Sequence, residues 1–190
     1  VGTDMNAGHV FLEDARAQFK KYKNMAERAM AQVSDEDFFR EATESGNSMA
    51  IIAKHMAGNM CSRWTDFLTT DGEKETRNRD DEFEMDPNWS RKDVLAYWET
   101  GWERLFEAVN PLMPSDLART VTIRGEDHLV LVAISRQLTH YASHVGQIIL
   151  LARSFTGKDW ESLSIPRGQS EEFNAQYWGS RKASRPDFQA

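Results

Sequence analysis

Four long segments of this sequence have apolar residues at three- and four-residue intervals, and this spacing is typical of helices that bury one side. The first runs from about Gly8 to Val33, and the second from about Asn47 to Leu68. The third ends at Asn110 and begins at Ser90, which together with Asp93 resembles a capping box. The fourth runs from about Glu126 to Phe155, before Gly157. Apolar stripes of this length must pack against one another. We therefore predict an all-α protein built as a four-helix bundle.

The segments between these helices are predicted to be less regular. Ser34-Asp35 is typical of the cap of a short acidic helix that ends before Ser45. The highly charged segment from Glu73 to Asn88 predicts a long loop. The β-branched segment from Arg119 to Gly125 predicts a short extended arm. The tail from Lys158 has no periodicity, so we predict an irregular C-terminal strap over the bundle, loose from about residue 180.

Length and composition exclude several classes of protein. A chain of 190 residues fits a single domain over residues 1–190. Its net charge of −7 removes the usual electrostatic reason to expect nucleic-acid binding. The longest apolar run, near Leu129 to Ile134, is too short to span a membrane, and the single cysteine, Cys61, cannot form an internal disulfide. We therefore expect a cytoplasmic protein that binds neither nucleic acid nor membranes.

Two histidines, His140 and His144, lie four residues apart in the fourth predicted helix. This spacing places both imidazoles on one face, where they can bind one metal ion. Tyr141 follows the first histidine at the position where metalloprotease helices have a glutamate, so that class of site is not predicted. Because such pairs also arise by chance, the spacing alone remains a hypothesis.

His55 is the third candidate ligand. It lies in the second helix between Ile52 and Met56, where a lone histidine is more often a hydrogen-bonded core residue. A metal site is favoured because helix bundles build such sites from facing helices, and three imidazoles with an open position are typical of catalytic zinc. His9 and His128 lie near predicted helix starts, and we assign them to the surface.

Amide side chains accompany the three histidines. Asn59 follows His55 by one helical turn, and Gln137 and Gln147 flank the His140/His144 pair by three residues on either side. These amides could orient the ligands or contact a substrate. Ordinary interhelical hydrogen bonds explain them equally well.

Arginines and the cysteine allow two interpretations each. Four arginines could bind an anionic substrate bidentately, and they could equally pair with nearby acids on the surface. The arginines are Arg63, Arg77, Arg79 and Arg167, and the acids are Asp66, Asp80, Asp81 and Glu82. Cys61 follows His55 by six residues, which places it on the far side of the helix, so we assign it to packing rather than catalysis. The candidate catalytic residues are Asn59, Arg63, Gln137 and Gln147.

Several motifs resemble the DinB-like superfamily, which includes YfiT-type proteins assigned as hydrolases and bacillithiol- and mycothiol-dependent enzymes. The resemblance lies in IIAKHMAGNM (51–60), SRWTDFL (62–68), RNRD (77–80) and LTHYASHVGQI (138–148). A branch of uncharacterised bacterial members also shares LSIPRG (163–168). The resemblance implies a four-helix bundle, frequently dimeric, that binds zinc, nickel, manganese or iron through three histidines. Those positions correspond here to His55, His140 and His144, with no departure.

Three functions remain open at this point. The first is a metal-dependent enzyme, similar to thiol S-transferases or to hydrolases, in which zinc or nickel activates a low-molecular-weight thiol or water toward a small-molecule substrate. The second is a non-catalytic metal-binding stress-response module, and the third is a bundle whose histidines are only structural. A homodimer is expected from the resemblance and from a content of six Trp and ten Phe, more than one small core needs.

Overall fold

The computed structural model describes residues 7–179, so the end predicted to be loose from about residue 180 lies outside the described part of the chain. The long elements are α1 (Ala7–Met30), α3 (Met49–Trp64), α4 (Arg91–Val109) and α5 (Val130–Thr156). The short ones are α2 (Asp35–Phe39), β1 (Thr120–Ile123), β2 (Glu126–Leu129) and α6 (Ser170–Gly179). The predicted all-α helical bundle is confirmed. Within residues 7–179, no helix combines the length and apolar character needed to cross a membrane.

Side-chain caps determine where three of the helices begin. The hydroxyls of Ser34 and Ser48 accept hydrogen bonds from the backbone N–H three residues further on, at the starts of α2 and α3. At α4, Ser90 and Asp93 form a capping box in which each side chain bonds the other residue's backbone N–H. These contacts satisfy N–H groups that have no partner within the helix. Both caps predicted from the sequence, at Ser34 and Ser90, are confirmed, although α2 ends early, at Phe39.

Helix α3 is buried on nearly every side and lies at the centre of the bundle. It packs chiefly on α4, while α1 packs chiefly on α5. Gly101 of α4 allows the two backbones to approach closely, because a Cβ at this position would lie 2.9 Å from the Cα of Ala57. A helix surrounded in this way can expose polar side chains only toward an internal cavity or toward partners supplied by other elements.

The large aromatic side chains fill this chain's own core. Phe19, Trp64, Trp98, Trp102 and Tyr141 are all almost fully buried and contact one another through edge or tilted ring contacts. Such pairs stabilise a core beyond the area that they bury. The aromatic content therefore gives less support to a homodimer than the composition suggested, and the dimer stays a prediction.

A β-hairpin replaces the predicted arm and delays the start of the last long helix. Strand β1 pairs with β2 in antiparallel register, with Ile123 opposite Glu126. The two linking residues, Arg124 and Gly125, both have positive φ, as a two-residue type I′ turn requires. The prediction that the helix begins at Glu126 is therefore wrong. His128 is also misassigned, because it lies on β2 with a largely buried side chain.

The hairpin is attached to the segment that follows α3. The carboxylate of Asp71 accepts hydrogen bonds of 2.8 Å from the backbone N–H groups of Arg124 and Gly125. The N–H of Gly72 donates to the carbonyl of Thr122 at 2.8 Å. These contacts place the β-turn close to the C-terminal half of α3.

The C-terminal strap is only partly irregular. Trp160 and Leu163 pack against the core, and Gln32, in the turn after α1, exchanges two hydrogen bonds with the backbone of Glu161. From Ser170 onward the prediction of an irregular strap is wrong, because residues Ser170–Gly179 form α6. This helix has no apolar stripe, so periodicity could not reveal it, and the acidic Glu171 and Glu172 favour its N-terminus.

Two helical glycines provide a matched test of the α3–α4 contact. Gly101→Ala should lower the free energy of unfolding by about 1–3 kcal/mol, because the added methyl group meets the backbone of Ala57. Gly146 of α5 has nothing within 4 Å of an added Cβ. Gly146→Ala should therefore raise stability by about 0.5–1 kcal/mol through helix propensity. Urea denaturation measures both, and equal shifts would contradict the close approach.

Candidate metal centre

The structure brings the three predicted histidines together. His55 comes from α3, and His140 and His144 come from successive turns of α5. One ring nitrogen from each residue can be chosen so that all three lie within 4.8 Å of one another. His55 is 4% exposed, and the other two are half-buried. The cluster could therefore hold a metal ion.

The hydrogen bonds of the rings determine which nitrogens face the centre. Nδ1 of each histidine lies beside an acceptor oxygen: His55 with Glu82 Oε2 at 2.8 Å, His140 with Gln137 Oε1 at 3.3 Å, and His144 with Gln147 Oε1 at 3.0 Å. Each Nδ1 therefore has its proton, and each Nε2 has a free lone pair. Holding Nδ1–H in this way also orients metal-binding imidazoles.

The distance between two of these nitrogens suits a shared ion. Nε2 of His140 and Nε2 of His144 are 3.0 Å apart. Two nitrogens at the usual zinc distance of about 2.0–2.1 Å, with an angle of about 90–109° between them, are about 2.9–3.3 Å apart. The donor set and its geometry therefore fit one divalent metal ion.

Burial keeps the imidazoles of His140 and His144 neutral. Desolvation, followed by the proximity of His144 and His55, lowers the pKa of His140 to about 3. Desolvation likewise lowers the pKa of His144. At neutral pH both rings are uncharged, which is the form that binds metals.

Glu82 is the outer partner of His55 and comes from the long loop between α3 and α4. It lies in a 3-10 turn, Asp80–Phe83, and its side chain is almost fully buried. Arg77 donates two hydrogen bonds to its carboxylate, at 2.7 and 2.8 Å. Burial opposes ionisation, but the hydrogen bonds from His55 and Arg77 outweigh it and lower the pKa of Glu82. The carboxylate therefore stays charged and accepts a hydrogen bond from His55 Nδ1–H.

Gly58 makes this contact sterically feasible. A Cβ at Gly58 would lie 2.4 Å from Oε1 of Glu82. The absence of a side chain on this turn of α3 allows the loop carboxylate to approach the helix. No sequence pattern connects His55 with Glu82. From the sequence, Glu82 was expected only as a surface partner of an arginine.

Asn59 belongs to a buried hydrogen-bond network. The Tyr141 hydroxyl accepts a hydrogen bond from Trp64 Nε1 at 3.0 Å and donates one to Asn59 Oδ1 at 3.0 Å. Burial raises the pKa of Tyr141, so the phenol remains protonated. The amide oxygen of Asn59 therefore makes an interhelical hydrogen bond, while the residue also lines the cavity beside the histidines.

A cavity of about 370 Å³ lies beside the three histidines. Its other lining residues include Asn59, Gln137, Phe83 and Ile123. Five arginines complete the wall, namely Arg63, Arg77, Arg79, Arg124 and Arg136. The cluster is therefore open to a space that can hold a small molecule.

The structure separates the remaining predicted residues. Arg167 and Gln147 do not line this cavity. Gln147 is exposed, although its amide oxygen accepts the hydrogen bond from His144. Cys61 is also outside it, and burial raises the pKa of its thiol, which agrees with a packing role. The surface pairing of the arginines with Asp66, Asp80 and Asp81 is not formed within residues 7–179, whereas the pair of Arg77 with Glu82 is formed and buried.

Sequence reasoning missed several lining residues. Arg136 precedes His140 by four residues on α5, so the helical spacing that indicated the histidine pair could have revealed it. Phe83, Ile123 and Arg124 reach the cavity through the loop and the hairpin turn, for which no local pattern exists.

The hydrogen bond from His55 to Glu82 should matter for metal affinity. We expect Glu82→Gln to weaken zinc binding about 10- to 100-fold, because the imidazole loses its charged orienting partner. Glu75→Gln, which changes an exposed residue of the same loop, is the matched control and should bind zinc normally. Competition with a zinc chelator measures both affinities, with circular dichroism to establish folding. Equal affinities in the two variants would exclude this role for Glu82.

The comparisons with known proteins identify a family without assigning a function. A family model described as "Protein of unknown function (DUF1572)" matches residues 6–169 of the chain. No curated protein and no solved structure matches the chain.

Proposed function

Because the chain belongs to the DUF1572 family, whose description assigns no activity, we propose its function from the chemistry of the site. The protein is a metal-dependent enzyme that uses His55, His140 and His144 to bind a divalent ion, with zinc or nickel the first candidates. It activates a thiol cosubstrate or water, as a thiol S-transferase or a hydrolase. The resemblance of the histidine motifs to the DinB-like superfamily supports this proposal.

The main observation is that a histidine cluster suited to one metal lies beside an open cavity. A divalent ion bound by three neutral imidazoles keeps its full positive charge and acidifies a water or thiol that reaches it. Manganese or iron is compatible with the same ligands. The open side favours an enzyme over a non-catalytic metal-binding module, because a storage site has no need of space for a substrate.

The residues of the cavity indicate where the attacking group comes from. The lining residues are histidines, arginines, amides, Phe83 and Ile123, so no hydroxyl, thiol or carboxylate side chain is present among the described residues of the wall. With the three histidines engaged as metal ligands, the described wall supplies no other side-chain nucleophile. An external thiol or water is left as the attacking group, and the imidazoles, held by Glu82, Gln137 and Gln147, stay fixed during the reaction.

The decisive experiment measures metal content and activity together. Protein purified without nickel columns or chelators should contain one divalent ion per chain. X-ray absorption should show about three imidazoles at roughly 2.0–2.1 Å if the ion is zinc. A panel of low-molecular-weight thiols and electrophiles, with ester and amide substrates in parallel, should then reveal turnover that a chelator removes. Bound metal without turnover would favour the non-catalytic module, and absence of metal would favour structural histidines.

Substitution of the helix α5 histidines separates chemistry from stability. We expect His140→Ala and His144→Ala each to abolish metal binding and activity while the apo protein keeps its helical circular dichroism, because the apolar core does not depend on the ion. His9→Ala is the control, since His9 is exposed on α1. The metal-loaded wild type should melt at a higher temperature than chelator-treated protein. Loss of helical signal in both the variants and the apo protein would show that the site is structural.

A further inference from the structure

The cavity wall has more positive charge than its own carboxylates balance. Five arginines line the cavity, and within residues 7–179 only Glu73 and Glu82 form ion pairs with them. Glu82 is shared between Arg77 and His55. Glu73 lies 2.9 Å from Arg77, 3.4 Å from Arg124 and 3.9 Å from Arg63. Five guanidinium groups face only these two carboxylates, so the wall retains an excess of positive charge.

Arg63 is the most unusual member of this wall. It extends from α3 and is only 6% exposed. Its Nε and Nη1 are buried and have no hydrogen-bond partner among the described residues, and its Nη2 is 3.9 Å from the nearest Glu73 oxygen. Burial lowers the pKa of Arg63, as expected for a desolvated cation. A buried guanidinium with so weak a counter-charge destabilises the protein unless a ligand supplies the missing charge.

Two other arginines face the cavity without a carboxylate partner. Arg136 has neither a hydrogen bond from its guanidinium nor an ion pair within the described part of the chain, and it lies one turn before His140 on α5. The guanidinium of Arg79 lies 5.0 Å from the ring centre of Phe83 and pairs with no acid among residues 7–179. Both side chains are exposed and can therefore contact a molecule that enters the cavity.

We propose that the cavity binds its substrate or cosubstrate through an oxyanion, a carboxylate or a phosphate, held by Arg63, Arg79 and Arg136. Guanidinium groups bind both kinds of oxyanion in a bidentate manner. An anion in this position adds the charge that Arg63 lacks and leaves the rest of the molecule beside the three histidines. Only that second part, the orientation toward the metal, rests on the proposed function.

Calorimetry on the protein as purified, with its metal content measured, tests this proposal. The probes are succinate, inorganic phosphate and the uncharged succinamide, all at the same ionic strength because salt screens exposed charges. We expect succinate or phosphate to give a heat of binding and succinamide to give none. Arg136→Gln should weaken the binding about 10- to 100-fold, the value expected for loss of a charged hydrogen-bonding group. Arg153→Gln removes an exposed arginine of the same helix outside the cavity and should change affinity by less than about twofold.

Further variants distinguish the arginines from the metal. Arg79→Gln should weaken anion binding as Arg136→Gln does, and both substitutions affect exposed residues. Arg63→Met should weaken binding and raise the melting temperature of the protein without anion, because it removes a buried charge that lacks a hydrogen bond. If the anion no longer binds to the His140→Ala variant but still binds to Arg136→Gln, the metal alone holds it. This result would overturn the proposal.

Failure of this inference and failure of the proposed function give different results. Three results would each overturn the oxyanion site: succinamide binds as well as succinate, neither anion binds, or Arg136→Gln and Arg153→Gln have equal affinities for the anion. Metal-dependent turnover could persist in each case. If the purified protein contains no metal and shows no turnover but binds the anion through Arg136, the oxyanion site is supported and the proposed enzymatic function is excluded.

Discussion

A line of buried polar side chains on a nearly enclosed helix is the constraint on which the rest of this structure depends. His55, Asn59 and Arg63 follow one another at four-residue intervals along α3, and all three are buried. Buried polar groups require partners, and a helix surrounded by apolar neighbours cannot supply them itself. The partners come from two other parts of the chain: Tyr141 of α5, and Glu82 and Glu73 of the long loop between α3 and α4. Much of the long loop between α3 and α4 thus packs against the polar side of α3.

The same requirement explains why a long, highly charged loop is ordered. Lys54 donates hydrogen bonds to the carbonyls of Asp81 and Glu84, and Ser62 bonds both to the carbonyl of Gly72 and to the N–H of Lys74. Together with the Glu82 contacts, these bonds connect both ends of the loop to α3. Because several of them are buried and charged, breaking one member leaves another group without a partner, which costs far more than an exposed ion pair.

Site and scaffold place different demands on the same helix. The apolar residues of α3 form the centre of the core, whereas its Arg63 reduces stability, because two of its buried nitrogens have no hydrogen-bond partner among the described residues. Proteins store such costs at functional sites, where the surrounding packing maintains an otherwise unfavourable arrangement. The dense aromatic core around Trp64, Trp98 and Trp102 provides that packing here.

Local sequence determined the long helices, the caps at Ser34 and Ser90, and the shared face of His140 and His144, because each depends on residues within one or two turns of one another. The placement of His55 opposite that pair followed from the resemblance to a known bundle. Tertiary structure alone decided that Glu82 lies against His55, that the hairpin displaces the start of α5, and that Arg124 and Arg136 face one cavity. These contacts join residues far apart in the chain, such as Asp71 and Arg124, so they depend on the path of loops that have no periodic pattern. The helix α6 also escaped prediction, since its sequence has no apolar stripe to reveal it.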